Sequence, residues 1–280
     1  MERADERAQT RLQATLKEST RVPDHRLIVV ASPKGGVGKT TVSTNLAVGL
    51  AQSGPGSTVL VDLDMQFGDV ASALALVPDY TLPDTVHGAA STDPLVLKTF
   101  LSRHSSGLYV VAGSDSPASG DAVSAEQVAR LLDTLSHEFR HVIVDTAPGL
   151  SDHTLVALER ATDLVLMSSM DVPGVRGLRK ELDVLRELTL IPAGRHVVMN
   201  LADPKGGLSV RDVELAIGTG VDVVLPRSGA VPASTNGGVP ILESGSRRDP
   251  MVKELKRLVS RFAATPLMKP GRYRAKHRAA

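Results

Sequence analysis

The chain has 280 residues, of which 42% are hydrophobic, and its 32 basic side chains nearly balance 31 acidic ones. It contains no cysteine, which excludes disulfides, thiolate metal sites and cysteine catalysis. No apolar run reaches the roughly 18 residues that a bilayer-spanning helix requires, and the charged start has no signal-peptide core, so we expect a cytoplasmic protein.

The two ends of the chain differ in composition from the body between them. Residues 1–25 are polar and charged and contain Pro23, so they predict a linker or a leading helix. Residues 266–280 are rich in Lys and Arg and lack acidic side chains, which predicts a disordered basic tail. We therefore expect one main domain over residues 26–265, with a mildly acidic surface.

Short apolar runs rich in β-branched residues recur along the body and predict strands that are buried on both faces. They lie at 26–32, 57–64, 107–113, 140–146, 162–169, 195–200 and 221–226. Helical patterns follow at 40–54, 124–138, 174–188 and 249–262. This alternation predicts an α/β fold, with a mostly parallel, doubly wound sheet flanked by helices.

A glycine-rich turn, PKGGVGKTT at residues 33–41, joins the first predicted strand to the first predicted helix. In this position the backbone N–H groups are expected to point at phosphate oxygens, assisted by the helix dipole. Lys39 would reach the β- and γ-phosphates, the Thr40 hydroxyl would bind Mg²⁺ and Thr41 would contact the α-phosphate. The residues that we expect to hold ATP and Mg²⁺ here are Gly35, Gly36, Val37, Gly38, Lys39, Thr40 and Thr41.

One position departs from the general phosphate-loop pattern, which has glycine where this chain has Pro33. Proline fixes φ and donates no N–H, so the entrance to the loop is expected to be an extended turn. Because the predicted phosphate cradle comes from residues 35–40, nucleotide binding should be retained.

Aspartates follow two of the predicted strands. Asp62 and Asp64 end the second strand, and Asp145 ends the strand that precedes a Thr-Ala-Pro-Gly turn. Ligands of open α/β sheets bind at this edge, and Asp145 is placed to bind Mg²⁺ through water. An aspartate in such a position is often only a turn or helix cap, but together with the phosphate loop these residues favour a Mg²⁺-nucleotide site.

Residues 33–41, 61–64 (VDLD) and 142–149 (VIVDTAPG) resemble the MinD/ParA group of deviant Walker A ATPases, whose defining mark is an extra lysine, here Lys34. Within that group, residues 32–41 and 60–74 are most similar to the ATPase domain of CpaE/TadZ-type Flp/Tad pilus assembly proteins. That subfamily commonly carries a receiver-like domain before the ATPase, whereas only about 25 residues precede the first predicted strand here.

The resemblance implies roles for individual residues. Lys34 would cross the interface of an ATP-sandwiched homodimer and stabilise charge on the partner's phosphates, although a solvated loop lysine is the alternative. Asp64 would position the attacking water, and Asp62 would support the magnesium region. On the adenine side, the residues implied are Asn200, Pro226 and Arg227.

The resemblance also implies a function, a weak and partner-stimulated ATPase that acts as a switch. ATP would join two subunits, the dimer would recognise pilus or secretion assembly proteins at the cell pole or inner membrane face, and hydrolysis would release them. A ParA-like partitioning ATPase with nonspecific DNA binding and a nucleotide-binding scaffold with negligible turnover are the alternatives. The acidic body and the scarcity of aromatic residues count against nucleic acid as a partner.

The last predicted helix, at 249–262, is amphipathic and has two interpretations. Its apolar face either docks on the sheet, which is favoured, or contacts a membrane surface together with the basic tail. The residues predicted on that face are Met251, Val252, Leu255, Leu258, Val259 and Phe262.

Overall fold

The computed structural model describes residues 25–203 and 205–263. Its strands are β1 (Arg26–Ala31), β2 (Thr58–Leu63), β3 (Ser102–Arg103), β4 (Tyr109–Val111), β5 (His141–Thr146), β6 (Asp163–Ser169), β7 (Gly194–Ala202) and β8 (Val223–Pro226). They form one sheet in the order β3-β4-β2-β5-β1-β6-β7-β8. Only the edge pair β3–β4 is antiparallel among these described strands, so the predicted mostly parallel sheet is confirmed.

Helices connect the strands and cover both faces of the sheet. They are α1 (Lys39–Ser53), α2 (Val70–Ala73), α3 (Leu82–Thr85), α4 (Pro94–Phe100), α5 (Pro117–Asp121), α6 (Ala125–Glu138), α7 (Asp152–Arg160), α8 (Val172–Glu187), α9 (Val210–Ile217), α10 (Ala230–Asn236), α11 (Ile241–Ser244) and α12 (Pro250–Ala263). A 3₁₀ turn at Gly88–Ser91 lies between α3 and α4.

The side chains of β1 alternate between two hydrophobic cores. Leu27 and Val29 face the core formed with α6, α7, α8 and α9, whereas Ile28 and Val30 face the core formed with α1 and α12. Each strand of a sheet covered on both faces buries both sets of side chains, which explains the continuous apolar runs in the sequence. The doubly wound arrangement is therefore confirmed.

Some elements were absent from the sequence prediction. Helices α7 and α9 begin at the capping residues Ser151 and Ser209, and α9 has a full capping box with Asp212. Both helices are short, with nine and eight residues, so their hydrophobic periodicity spans little more than two turns. Strand β3 has only two residues, so it is too short to show an alternation of apolar and polar residues in the sequence.

Helix α12 docks on the protein core. Its apolar residues Met251, Leu255 and Phe262 are at most 2% exposed, and they belong to the core that includes α1. The favoured interpretation of this helix, docking on the core, is therefore confirmed, and the alternative, in which the apolar face contacts a membrane, is excluded because that face is buried. None of the helices that the structure describes is long and apolar enough to cross a membrane.

Three predictions concern parts of the chain beyond the described residues. The linker or leading helix at residues 1–25, apart from residue 25 itself, the basic tail at 266–280 and the domain boundary at 265 all lie outside them. The limits of the domain therefore stay a prediction, while the described sheet and helices occupy residues 26–263.

Candidate nucleotide site

The candidate site lies where β2, β5 and β1, which are neighbours in the sheet, reach their carboxyl ends. The glycine-rich turn leaves β1 at Ala31 and enters α1 at Lys39. The turn after β5 contacts it, because Gly149 donates its N–H to the Ser32 carbonyl at 2.9 Å. Parallel strands thus bring together the loop and the aspartates that the sequence placed at strand ends.

The backbone of the glycine-rich turn requires glycine at two positions. Gly36 has φ of 74° and Gly38 has φ of 88°, values that side chains with a Cβ rarely adopt. At Gly38, a Cβ would also lie 2.5 Å from the Asn200 side-chain nitrogen. The turn therefore has the left-handed, glycine-dependent form that directs consecutive N–H groups inward.

Lys39 is the buried lysine of the turn. Its side chain is 8% exposed, and its Nζ donates a hydrogen bond to the Ser32 hydroxyl at 3.1 Å. Burial lowers the pKa of Lys39, while Asp145 and Asp64 oppose that change by favouring the charged form. The ammonium group is thus held inside the loop by Ser32, and the charges of Asp145 and Asp64 favour its protonated form.

Asp145 links β5 to the start of α1. Its two carboxylate oxygens accept hydrogen bonds from the Thr40 hydroxyl at 2.7 Å and the Ser43 hydroxyl at 2.8 Å. Burial raises the pKa of Asp145 to about 6, and the hydrogen bonds from Thr40 and Ser43 oppose this shift. A hydroxyl and a carboxylate in direct contact are the oxygen donors that Mg²⁺ takes beside nucleotide phosphates.

The described residues contain no cluster of three His, Cys, Asp or Glu side chains that would hold a metal ion alone. Mg²⁺ in phosphate-transfer sites is usually held by one or two protein ligands together with phosphates and water. Thr40 and Asp145 therefore fit a magnesium ion that arrives with a nucleotide, rather than one held by a separate protein cage.

Asp62 organises the loop after β2. It is 1% exposed, and its carboxylate accepts the N–H groups of Asp64 at 3.2 Å and Val70 at 3.1 Å. Burial raises its pKa well above the usual range, and the nearby charge of Asp145 adds to this effect. These contacts indicate a loop-positioning role, and the expected support of magnesium by Asp62 stays a prediction.

Asp64 lies in that same loop and is half-buried. Its carboxylate accepts the N–H of Phe67 at 3.1 Å, and its charge acts on Lys39. The charge of Asp64 therefore reaches the phosphate-loop lysine and favours its ammonium form. The water-positioning role of Asp64 stays a prediction.

Lys34 differs from Lys39 because it is exposed. The start of α8 packs beside its stem, since a Cβ at Gly177 would lie 3.6 Å from Lys34 Cε and 3.2 Å from the Pro33 ring. Pro33, the departure from the general motif, thus packs against a helix position that lacks a side chain. The pKa of Asp171 is lowered mainly by its hydrogen bonds with Ser169 and Gly174 and, to a smaller extent, by the charges of Lys34 and Arg227. Lys34, Asp171 and Arg227 therefore lie on the same side of the site.

Asn200 supports the phosphate loop from β7. Its side-chain nitrogen donates to the Val37 carbonyl at 2.8 Å, and the side chain is 4% exposed. Pro226 ends β8, and Arg227 donates its N–H to the Ala202 carbonyl at 3.1 Å while its side chain is exposed. The structure therefore shows Asn200 holding the loop, and the adenine contacts of these three residues stay predictions.

A family model described as "AAA domain" matches residues 25–191, more than half of the chain. The chain belongs to this family, in its MinD/ParA group. The septum site-determining protein MinD of Escherichia coli strain K12 is 29% identical over 231 residues, covering 78% of this chain and 84% of that protein.

Two solved structures share the fold of this MinD/ParA chain. A ParA family ATPase from Chlorobium tepidum TLS aligns with a TM-score of 0.77 and 21% identity, over 84% of this chain and 98% of that one. The MinD of Pyrococcus horikoshii OT3, solved with Mg-ADP, aligns with a TM-score of 0.74 and 18% identity, over 85% and 95% of the two chains. The predicted P-loop α/β fold is confirmed.

A cleft of about 210 Å³ opens beside the first turns of α1 in this MinD/ParA chain. It was absent from the sequence prediction because its walls come from three separate segments of the chain. One available signal was Thr44, three residues after Thr41 and therefore on the same helix face. The remaining lining residues are Thr40, Asn45, Asp69, Ser72, Ala73, Ser234, Thr235 and Pro240.

Proposed function

We propose that this MinD/ParA protein is a Mg²⁺-dependent ATPase that works as an ATP-driven dimerising switch. The observation that carries the proposal is the contrast between two lysines of one turn. Lys39 is buried and its ammonium form is favoured by the charge of Asp145, whereas Lys34 is exposed. The MinD relative solved with Mg-ADP supports a nucleotide and magnesium as the ligands.

The residues of the turn divide the work of binding. Backbone N–H groups of residues 35–41 bind the phosphates, and Lys39 neutralises their charge from inside the loop. Thr40 and Asp145 hold Mg²⁺, which when bound offsets negative charge on the phosphate oxygens. The lining of the cleft beside α1 is largely apolar but includes the hydroxyl-bearing residues Thr41, Thr44 and Ser72, and a few such polar groups suit the sugar of a nucleotide.

Dimerisation completes the site. Lys34 is exposed, so its ammonium is available to phosphates bound by a second copy of the chain. Charge stabilisation by a lysine from the other subunit makes hydrolysis slow in the monomer and faster in the dimer. Asp64 orients the attacking water, and its support is that its charge acts on Lys39 from the loop after β2.

For the cargo, we propose the Flp/Tad pilus secretion apparatus, with the ATPase recruited by assembly proteins at the cell pole or the inner membrane face. The support is the amino-acid sequence of residues 32–41 and 60–74, which is most similar to that of CpaE/TadZ-type proteins. Relatives named for septum placement and for the ParA family indicate the broader class, ATPases that position cellular structures.

Nonspecific DNA binding is the second candidate, and a surface feature favours it. With the apolar face of α12 buried, basic side chains at its start and on its polar face remain exposed: Arg247, Arg248, Lys253, Lys256 and Arg257. Such residues would bind phosphates with a steep salt dependence. A mobility-shift assay with ATP at two salt concentrations tests this: a shift that needs ATP and weakens in salt identifies a DNA-partitioning ATPase.

Light scattering after size exclusion tests the switch itself. We expect a monomer in Mg-ADP and a dimer in Mg-ATP when Asp64→Ala slows hydrolysis, because the γ-phosphate is what the second subunit's Lys34 contacts. Phosphate release by the wild type at saturating ATP separates the switch from a scaffold without turnover. A monomer in both nucleotides would overturn the dimer mechanism, and no phosphate release would favour the scaffold.

A further inference from the structure

Glu181 is a buried carboxyl group that the proposed mechanism does not use. It lies on α8, is 5% exposed, and neither of its carboxylate oxygens has a hydrogen-bond partner among the described residues. Its neighbours along the helix, Leu178 and Leu182, are fully buried in the core under β1 and β6. An ionised carboxylate without partners in such surroundings is costly, so this group calls for a physical explanation.

The position of Glu181 on α8 directs its side chain toward the phosphate loop. Gly177 is one helical turn earlier on the same face, and the loop residues Pro33 and Lys34 pack against that glycine. Side chains of a helix lean toward its N-terminus, so Glu181 leans toward the turn of α8 that carries Gly177, where the loop residues Pro33 and Lys34 pack. It therefore approaches the loop from the face of the sheet opposite α1.

The charge that acts on Glu181 is the ammonium group of Lys39. Each residue acts on the other: Glu181 favours the charged form of Lys39, and Lys39 favours the ionised form of Glu181. Among the described residues, no other charged side chain shifts the pKa of Glu181, although α8 also packs against β6 and α9. Before nucleotide binds, Glu181 is thus one of the anions that balance the buried lysine.

We propose that Glu181 is a positioning residue for the phosphate-loop lysine, and that it takes up a proton from solvent when nucleotide phosphates bind to Lys39. The proposal rests on the proposed nucleotide binding and adds to it a regulation of affinity by pH. Phosphates replace Glu181 as the partner of Lys39 and place new negative charge nearby, which favours the neutral carboxyl. The proton binds to a carboxylate oxygen of Glu181, and no other bond changes.

The titration of Glu181 places the effect near neutral pH. Burial raises its pKa to about 7 in the nucleotide-free protein, and bound phosphates raise the pKa further. Affinity is therefore highest below pH 7 and falls as the pH rises above 7, where binding must add a proton. If the bound state has a pKa about one unit higher, the dissociation constant of the wild type rises about sixfold between pH 6.5 and 8.5.

Binding of a fluorescent ATP analogue across this pH range tests the proposal. Wild type is compared with Glu181→Gln, which keeps the shape of the side chain but cannot titrate, and with Glu187→Gln, an exposed glutamate of the same helix. Since protonation of the nucleotide itself affects all three proteins equally, the ratio of wild-type to variant affinity is the quantity measured. We expect this ratio to change about sixfold between pH 6.5 and 8.5 for Glu181→Gln and to stay constant for Glu187→Gln.

Calorimetry of wild type gives an answer even if Glu181→Gln does not fold. Titration with Mg-ATP at pH 8 in buffers of different ionisation enthalpy should show uptake of about 0.4 proton for a one-unit shift. Equal pH profiles of wild type and Glu181→Gln, or no proton uptake by the wild type, would overturn the role of Glu181. Absence of nucleotide binding at every pH would instead refute the nucleotide site, so the two failures are distinguishable.

Discussion

Replacement of Gly38 by alanine tests how β7 supports the phosphate loop. The change forces a residue with a Cβ to adopt φ of 88°, which costs about 1–2 kcal/mol. It also places the new Cβ 2.5 Å from the Asn200 side-chain nitrogen, so that amide must move away from the Val37 carbonyl. A buried carbonyl left without its donor adds a cost of about 1–3 kcal/mol. We expect Gly38→Ala to lower the free energy of unfolding by about 2–5 kcal/mol.

Gly36→Ala is the matched control, because Gly36 has φ of 74° but no other atom lies within 4 Å of the place that a Cβ would take there. It should therefore cost only the backbone strain, about 1–2 kcal/mol. The double variants sharpen the test. Asn200→Ala should cost about 1–3 kcal/mol in wild type or in Gly36→Ala, but almost nothing in Gly38→Ala, where the hydrogen bond is already lost.

Urea unfolding without nucleotide, followed by circular dichroism, measures these free energies. Equal destabilisation by Gly36→Ala and Gly38→Ala would refute the reasoning, since it would mean that the contact with Asn200 contributes nothing. Additive effects of Gly38→Ala and Asn200→Ala would refute it independently.

Three further predictions concern other parts of the molecule. Lys34→Ala should abolish ATP-dependent dimerisation and reduce phosphate release while leaving nucleotide binding by the monomer intact. Lys253→Ala, at another exposed lysine, is the control. Normal dimerisation of Lys34→Ala would contradict the contact of Lys34 with the nucleotide of the second subunit. Phe262→Ala should lower stability by about 3–5 kcal/mol because this α12 ring is 1% exposed, as thermal unfolding can measure, and an effect no larger than that of exposed Lys256→Ala would argue against docking of α12. Glu181 has a folded pKa of about 7, above its unfolded value, so its stabilising contribution is present below about pH 4.5 and is lost as the pH rises to 7. The free energy of unfolding of the wild type should therefore fall by about 3 kcal/mol over that interval relative to Glu181→Gln. Parallel curves of unfolding free energy against pH for the two proteins would exclude this.

The sheet and the phosphate loop were predictable from the sequence because their signals are local. The seven apolar runs each became a strand, and the spacing from Pro33 to Thr41 placed the loop between β1 and α1. Local patterns have this power when a buried strand or a glycine turn is determined by its own few residues.

Contacts between distant parts of the chain were beyond such patterns. Asn200 bonds to Val37 across 163 residues, and nothing around either residue indicates the other. Glu181 stands in LRKELDVLREL, which has the charged character of a solvated helix face, yet the structure buries it. The close approach of the Gly68 backbone and the Val70 amide to the Asp62 carboxylate was likewise absent from the sequence prediction, while the role of Asp62 near magnesium stays a prediction. These contacts depend on which distant segments of the chain pack together, and that is determined by the tertiary fold rather than by any local sequence pattern.

The close approach of α12 to α1 has a consequence for communication across the molecule. A Cβ at Gly49 would lie 2.6 Å from the side chain of Val259, so the two helices touch almost backbone to side chain. Helix α1 begins with Lys39 inside the phosphate loop and runs without interruption to this contact. Closely packed helices have low compressibility, so a displacement at one end of α1 is transmitted to its other end. A displacement of α12 would therefore shift α1 and with it Lys39, and a displacement of the phosphate loop would shift α12.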